Sequence, residues 1–170
     1  MKDANYLKIL DAVVRLEVSR GHLRWKMAEL SRLSGVQRTL VYYYFGKSKE
    51  LILQEALKTI GDEFFGLSTE RVQMWREGRM KESILRTREL LKTAPYVAQF
   101  FFHWRHQPSA VQESLKRLEK RYQGKIKEHF PAISKDDAEA IYAVFFGLVL
   151  VPDLKESVLD RVLAGMRFPQ

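Results

Sequence analysis

Apolar residues in this chain recur at steps of three and four from end to end, and no stretch shows the strict alternation of a half-buried strand. A helix buries such a pattern on one side, so the chain is expected to be all-α. Leu7, Leu10, Val14 and Val18 form one apolar face of a first helix over Asn5–Arg20. Gly21 follows, a residue that accepts the left-handed turn closing a helix. Shorter helices are expected over Lys26–Leu33 and Gln37–Phe45, with Ser34-Gly35-Val36 between them. Ser48 is placed to cap a fourth helix carrying Leu51, Leu53, Ala56, Leu57, Ile60, Phe64 and Phe65. Beyond Gly66, helices are expected over Thr69–Arg76, Met80–Lys92, Tyr96–Arg105, Ser109–His129, Lys135–Val151 and Leu154–Met166. Pro95, Pro108, Pro131 and Pro152 separate the later ones.

Composition narrows the function. With no cysteine, disulfides and thiolate metal sites are excluded. The longest apolar run, Ala138–Val151, is broken by Glu139 and falls short of the roughly 18 residues of a membrane span. Asp3 and Asp11 interrupt any leader-like run, so a soluble, cytoplasmic protein with no membrane partner is expected. Residues 1–53 hold ten Lys or Arg against five acids, a net +5 of the chain's +8. A basic segment of this kind attracts a polyanion such as DNA, although a solubilising surface has the same composition. No phosphate-binding loop, nucleophile elbow or metalloprotease motif occurs, so no enzyme activity and no cofactor are expected.

The segment Lys26–Phe45 carries the pattern of a helix-turn-helix. A tight turn between two steeply crossing helices needs a residue able to take positive φ, and Gly35 stands there. Ala28, Ser31 and Ser34 supply small residues for close approach, and Leu30, Leu33, Val36 and Val41 supply apolar contacts. The second helix reads Gln37-Arg38-Thr39-Leu40-Val41-Tyr42-Tyr43-Tyr44-Phe45. Its first turn suits the major groove: Arg38 can bond guanine O6 and N7 bidentately, Gln37 can read adenine, and Thr39 can bond a base edge or touch a thymine methyl. Leu40 serves either a thymine methyl or the core. Tyr42 and Tyr43 can reach phosphates, and Lys47 and Lys49 follow as candidate backbone contacts. Successive helical residues point about 100° apart, so three consecutive tyrosines cannot share one core.

These residues carry a resemblance. Ile9-Leu10-Asp11-Ala12, Gly21, Ser34-Gly35-Val36, Val41-Tyr42-Tyr43-Tyr44-Phe45 and Ser48-Lys49-Glu50 match in order and spacing the DNA-binding segment of the TetR family of bacterial transcriptional regulators. The chain departs from the family at Trp25-Lys26, where threonines usually open the second helix, and at Thr39-Leu40. One residue is inserted between Phe45 and Ser48, so either Lys47 or Lys49 takes the family's phosphate-binding lysine position. The resemblance implies an N-terminal three-helix helix-turn-helix domain over 1–53, followed by a helical ligand-binding and dimerisation domain over 54–170. It implies that Gln37–Leu40 read bases, that Tyr42 and Tyr44 lean on phosphates, and that Lys26 and Met27 rest on the backbone. The partner would be double-stranded DNA with a palindromic operator, bound by a homodimer. The activity implied is that of a sequence-specific regulator, a ligand-responsive repressor in the family's commonest mode. A nucleoid-associated or protein-regulated DNA binder without a ligand is the alternative.

In the second half, Ala138–Val151 is apolar almost all round, which suits burial between subunits as well as within one. Ile141, Phe145 and Leu148, with Val158, Val162 and Met166 of the next helix, are the candidate dimer contacts. The aromatic stretch Tyr96–His106 can line a cavity for a small apolar or amphipathic effector or pack as core. Its candidate pocket residues are Phe100, Phe101, His103 and Trp104, with Trp75. His103 and His106 share a face, but no acid or cysteine stands near them in sequence, so no metal is expected. The charges of Ser109–His129, Lys125 among them, are expected on a solvated face.

Overall fold

The computed structural model describes residues 4–166, and every regular element within them is helical. Residues 1–3 and 167–170, the outer ends of the two expected domains, lie outside the described residues. The helices are α1 (Ala4–Arg20), α2 (Met27–Ser34), α3 (Arg38–Phe45), α4 (Lys49–Thr59), α5 (Thr69–Arg76), α6 (Met80–Thr93), α7 (Tyr96–Arg105), α8 (Ala110–His129), α9 (Lys135–Leu150) and α10 (Glu156–Gly165).

Local chemistry sets their ends. Ser48, Ser68, Ser109 and Ser134 each accept a hydrogen bond at Oγ from the N–H three residues on, at 3.0, 3.4, 3.1 and 3.0 Å. Each bond satisfies one of the four N–H groups that a helix start leaves open. The fourth helix is not uniform: a π turn over Ile60–Phe64 continues α4, with Phe65 N–H reaching Ile60 C=O at 3.0 Å. Gly61 stands in that turn because α8 passes close by; a Cβ there would lie 2.7 Å from Leu118 Cδ2.

The expected single apolar face of α1 is a correction. Leu7 and Val18 are only half-buried, whereas Tyr6, Ile9, Leu10, Val13, Val14, Leu16 and Glu17 are all buried. The cause is that α1 packs against α2 and α4 on one side and α7 on the other. Asp11 Oδ1 accepts the Tyr96 N–H at 2.9 Å, and the Arg15 guanidinium lies 4.8 Å from the Tyr96 ring centroid. A carboxylate at the start of α7 also suits the positive end of that helix's dipole. One hydrophobic cluster therefore runs from Tyr6 to Leu159, across the boundary expected at residue 53.

The later helices bring two further corrections. Ile141, Phe145 and Leu148 face the chain's own core, where α9 packs on α6 and α8, and Phe145 lies 5.0 Å from Trp75 between ring centroids. The exposed residues of α9 are instead Lys135, Asp136, Asp137 and Glu139 at its start, then Ala140, Ala143 and Val144, with Gly147 half-buried beside them and exposed Val151 just past its end. On α10 Leu159 points in, Val158 is exposed, and Val162 and Met166 are half-buried. Phe100, Phe101 and Trp104, expected as pocket lining, are buried packing residues. Phe101 meets Phe64, Phe65 and Phe146 with centroids 5.2–6.0 Å apart, while Trp104 meets His22 at 6.0 Å and His103 at 5.1 Å. His103 is half-buried beside Gln107, and Trp75 stands apart, against Tyr122, His129 and Phe145.

Candidate nucleic-acid interface

The turn between α2 and α3 is fastened by two serines. Ser34 Oγ donates to Leu30 C=O at 2.8 Å and accepts the Val36 N–H at 3.2 Å, while Ser31 Oγ donates to Val36 C=O at 2.7 Å. Gly35 closes α2 at φ 68°, the left-handed region that disfavours side chains. Leu30, Val36 and Val41 are buried against one another's elements, as the sequence pattern implied. Ala28 and Leu33 are exposed, so close approach rests on the two serines.

Behind α2 lies a polar group that periodicity did not single out. Glu17 is fully buried and accepts from Trp25 Nε1 at 2.6 Å and Leu23 N at 3.0 Å, with His22 Nδ1 at 3.1 Å. Leu23 has φ 56°, and its carbonyl accepts from Lys49 Nζ at 2.6 Å. A non-glycine residue in this region costs on the order of 1–2 kcal/mol, and here both of its peptide groups are held. Lys49 thus fastens α4 to the segment before α2, whereas Lys47 is exposed. The geometry assigns the solvent-facing position to Lys47.

On α3, Val41 and Phe45 are buried and anchor the helix. Among the described residues no side chain caps its start, and Gln37, Arg38 and Thr39 are exposed there together. Leu40 packs partly against the core. Tyr43 is 81% exposed, the outward ring that three consecutive tyrosines require. Tyr42 is half-buried; Tyr44 is half-buried edge-on to Tyr6, with centroids 5.8 Å apart. Tyr6 in turn stacks on Phe45 at 4.6 Å, and its hydroxyl lies 2.6 Å from Thr59 Oγ1. Packing therefore holds Tyr44 in place. At the start of α2, Lys26 is exposed and Met27 packs partly on the core, while Glu29 accepts the Lys26 N–H at 2.8 Å.

Exposed Lys26, Gln37, Arg38, Thr39, Tyr43 and Lys47 thus lie on short segments held from behind by apolar and serine contacts. Such a surface can offer a planar guanidinium fork, amide and hydroxyl groups to base edges, and cations to phosphates. No family model, no curated protein and no solved structure matches this chain.

Proposed function

We propose that this protein is a sequence-specific, DNA-binding transcription regulator that acts as a homodimer and has no enzymatic activity. The observation that carries the reading is the first turn of α3. Gln37, Arg38 and Thr39 are exposed together, on a helix anchored by buried Val41 and Phe45 behind a glycine turn. That turn enters the major groove, with Tyr42, Tyr43 and Lys47 at the flanking phosphates. The basic balance of residues 1–53 supports the same reading. The later part of α9's outward side, Ala140, Ala143, Val144 and Gly147, with Val158 and Val162 of α10, forms the dimer contact, because these residues are small and apolar and Gly147 leaves room for a second helix. Two copies then address a palindrome.

Arg38→Ala is expected to cost about 1–3 kcal/mol on the protein's preferred duplex and to relax the base choice at one position of each half-site. Tyr42→Phe is expected to weaken all sequences more evenly. Fluorescence-anisotropy titrations on specific and scrambled duplexes distinguish the two. An Arg38→Ala protein that kept full discrimination would remove α3 as the reading element.

In this reading a small apolar or amphipathic effector shifts the spacing of the two α3 helices and lowers affinity for DNA. A regulator without a ligand is the second reading, and the packing of Phe64, Phe65, Phe101 and Phe146 inside the body favours it. Among the described residues no helix is long and apolar enough to cross a membrane.

A further inference from the structure

Lys125 sits on the buried stripe of α8, beside Val111, Leu115, Leu118, Tyr122 and Ile126. Its ammonium donates to Gly66 C=O at 2.8 Å and lies 3.9 Å from the Trp75 ring centroid. Arg71 of α5 is buried beside it, and both cations approach Gly66: a Cβ there would stand 3.2 Å from Arg71 Nη2 and 3.4 Å from Lys125 Nζ. Arg71 has the Glu63 carboxylate at 3.5 Å. Among the described residues no carboxylate pairs with Lys125. A buried ammonium satisfied only by a carbonyl and a ring is costly, and an anion beside it offsets that cost.

Space for one exists. A half-open cleft of about 290 Å³ between α5 and α8 is lined by Val72, Trp75, Arg76, Lys125, Glu128 and His129. Arg76 and Glu128 neutralise each other across its lip, which leaves Lys125 as the unbalanced charge. Trp75 is itself buried, and among the described residues its indole N–H has no hydrogen-bond partner. The lining is mixed: Val72 and Trp75 give an apolar wall, Arg76 and Glu128 cancel at the lip, and Lys125 with His129 supplies the nitrogen groups, which suits a ligand with an apolar part and an anionic part.

We propose that this cleft binds a small aromatic carboxylate, with its ring against Val72 and Trp75 and its carboxylate at Lys125. The site deepens the effector half of the proposed function and rests on it. Gly66 directly follows the π turn and Phe65 that end the α4 segment, so a ligand that draws Lys125 from the Gly66 carbonyl acts on the helix leading back to Lys49.

The groups facing Lys125 make binding pH-dependent. Burial and the neighbouring Arg71 charge bring the Lys125 ammonium down to about 7. Burial, then the Lys125 charge, holds His129 below its ordinary value, and burial pushes the Tyr122 hydroxyl above its ordinary range, so it stays neutral. Glu63 stays with Arg71 and Glu128 with Arg76. A bound carboxylate favours protonated Lys125, so binding near pH 7.5 takes up a proton.

The test is calorimetric titration of the full chain, without DNA, using 2-naphthoate as the probe in two buffers of different ionisation heat. The neutral isostere 2-naphthalenemethanol and inorganic phosphate serve as comparisons. Naphthoate is expected to bind at least about tenfold more tightly than either, with net proton uptake. Lys125→Met is expected to lose about tenfold in affinity together with that uptake. If that variant does not fold, the wild-type affinity should still fall about tenfold between roughly pH 6.5 and 8.5. Equal binding of the alcohol or of phosphate, unchanged binding by Lys125→Met, a flat pH profile, or no heat at millimolar naphthoate would overturn the proposal. Because no DNA is present, none of these outcomes bears on the α3 reading.

Discussion

Arg71→Met is expected to lower the free energy of unfolding by about 3 kcal/mol, the low end of what removing one partner of a buried ion pair costs. The side chain is 1% exposed and works as a fork. Its Nε donates to Ser83 Oγ at 2.9 Å, and its Nη2 donates to Thr87 Oγ1 at 2.6 Å and to Ser83 C=O. Its Nη1 donates to Glu63 C=O at 3.2 Å. These bonds join α5, α6 and the π turn. Methionine fills the space but satisfies none of these acceptors, which were desolvated when the chain folded. Two effects keep the loss at the low end. Thr87 Oγ1 still donates to Glu63 C=O at 3.1 Å, and Lys125 is relieved of a like charge. Arg71→Lys should recover less than half, because an ammonium cannot reproduce the planar donor set. Urea unfolding reads the effect as a lower midpoint at unchanged slope. A loss below about 1 kcal/mol would mean that the fork is not what ties these elements together.

Glu17→Ala is expected to cost about 3–5 kcal/mol, since it strands buried donors of two kinds. Trp25 Nε1 and Leu23 N–H both lose their acceptor, and Trp25 is fully buried. Leu23 then holds its positive φ with only the Lys49 bond at its carbonyl. Glu17→Gln keeps one oxygen and is expected to retain part of the loss. Thermal and urea unfolding of the three proteins give the order wild type, Gln, Ala. An alanine variant as stable as wild type would contradict the network's role in seating α2.

Much of this architecture is legible in the sequence, for local reasons. Helix ends follow serine caps and glycine stops, and every expected boundary after α1 lies within two residues of the structure, apart from the π turn. That turn has no local signature; it forms where Gly61 lets α8 come close. Gly35 and the exposed start of α3 are legible because positive φ and outward tyrosines leave few arrangements. The face of α9 was not, because a helix apolar on every side has no period to choose between core and partner. Glu17, Arg71 and Lys125 were also missed, yet each sits in register with an apolar stripe: Glu17 four after Val13, Arg71 three before Met74, Lys125 three after Tyr122. A charge in stripe register is the signal that would have found them, and reading charge only as solvation hides it.

Whether α3 reads DNA sequence is decided by selection from a random-sequence duplex library, followed by a salt titration of the enriched duplex against a scrambled one. The expected result is enrichment of an inverted repeat with half-sites spaced by about one helical turn or a multiple of it, bound more tightly than the scrambled duplex, with affinity falling steeply as salt rises. No enrichment, with no binding even at low salt, would contradict it.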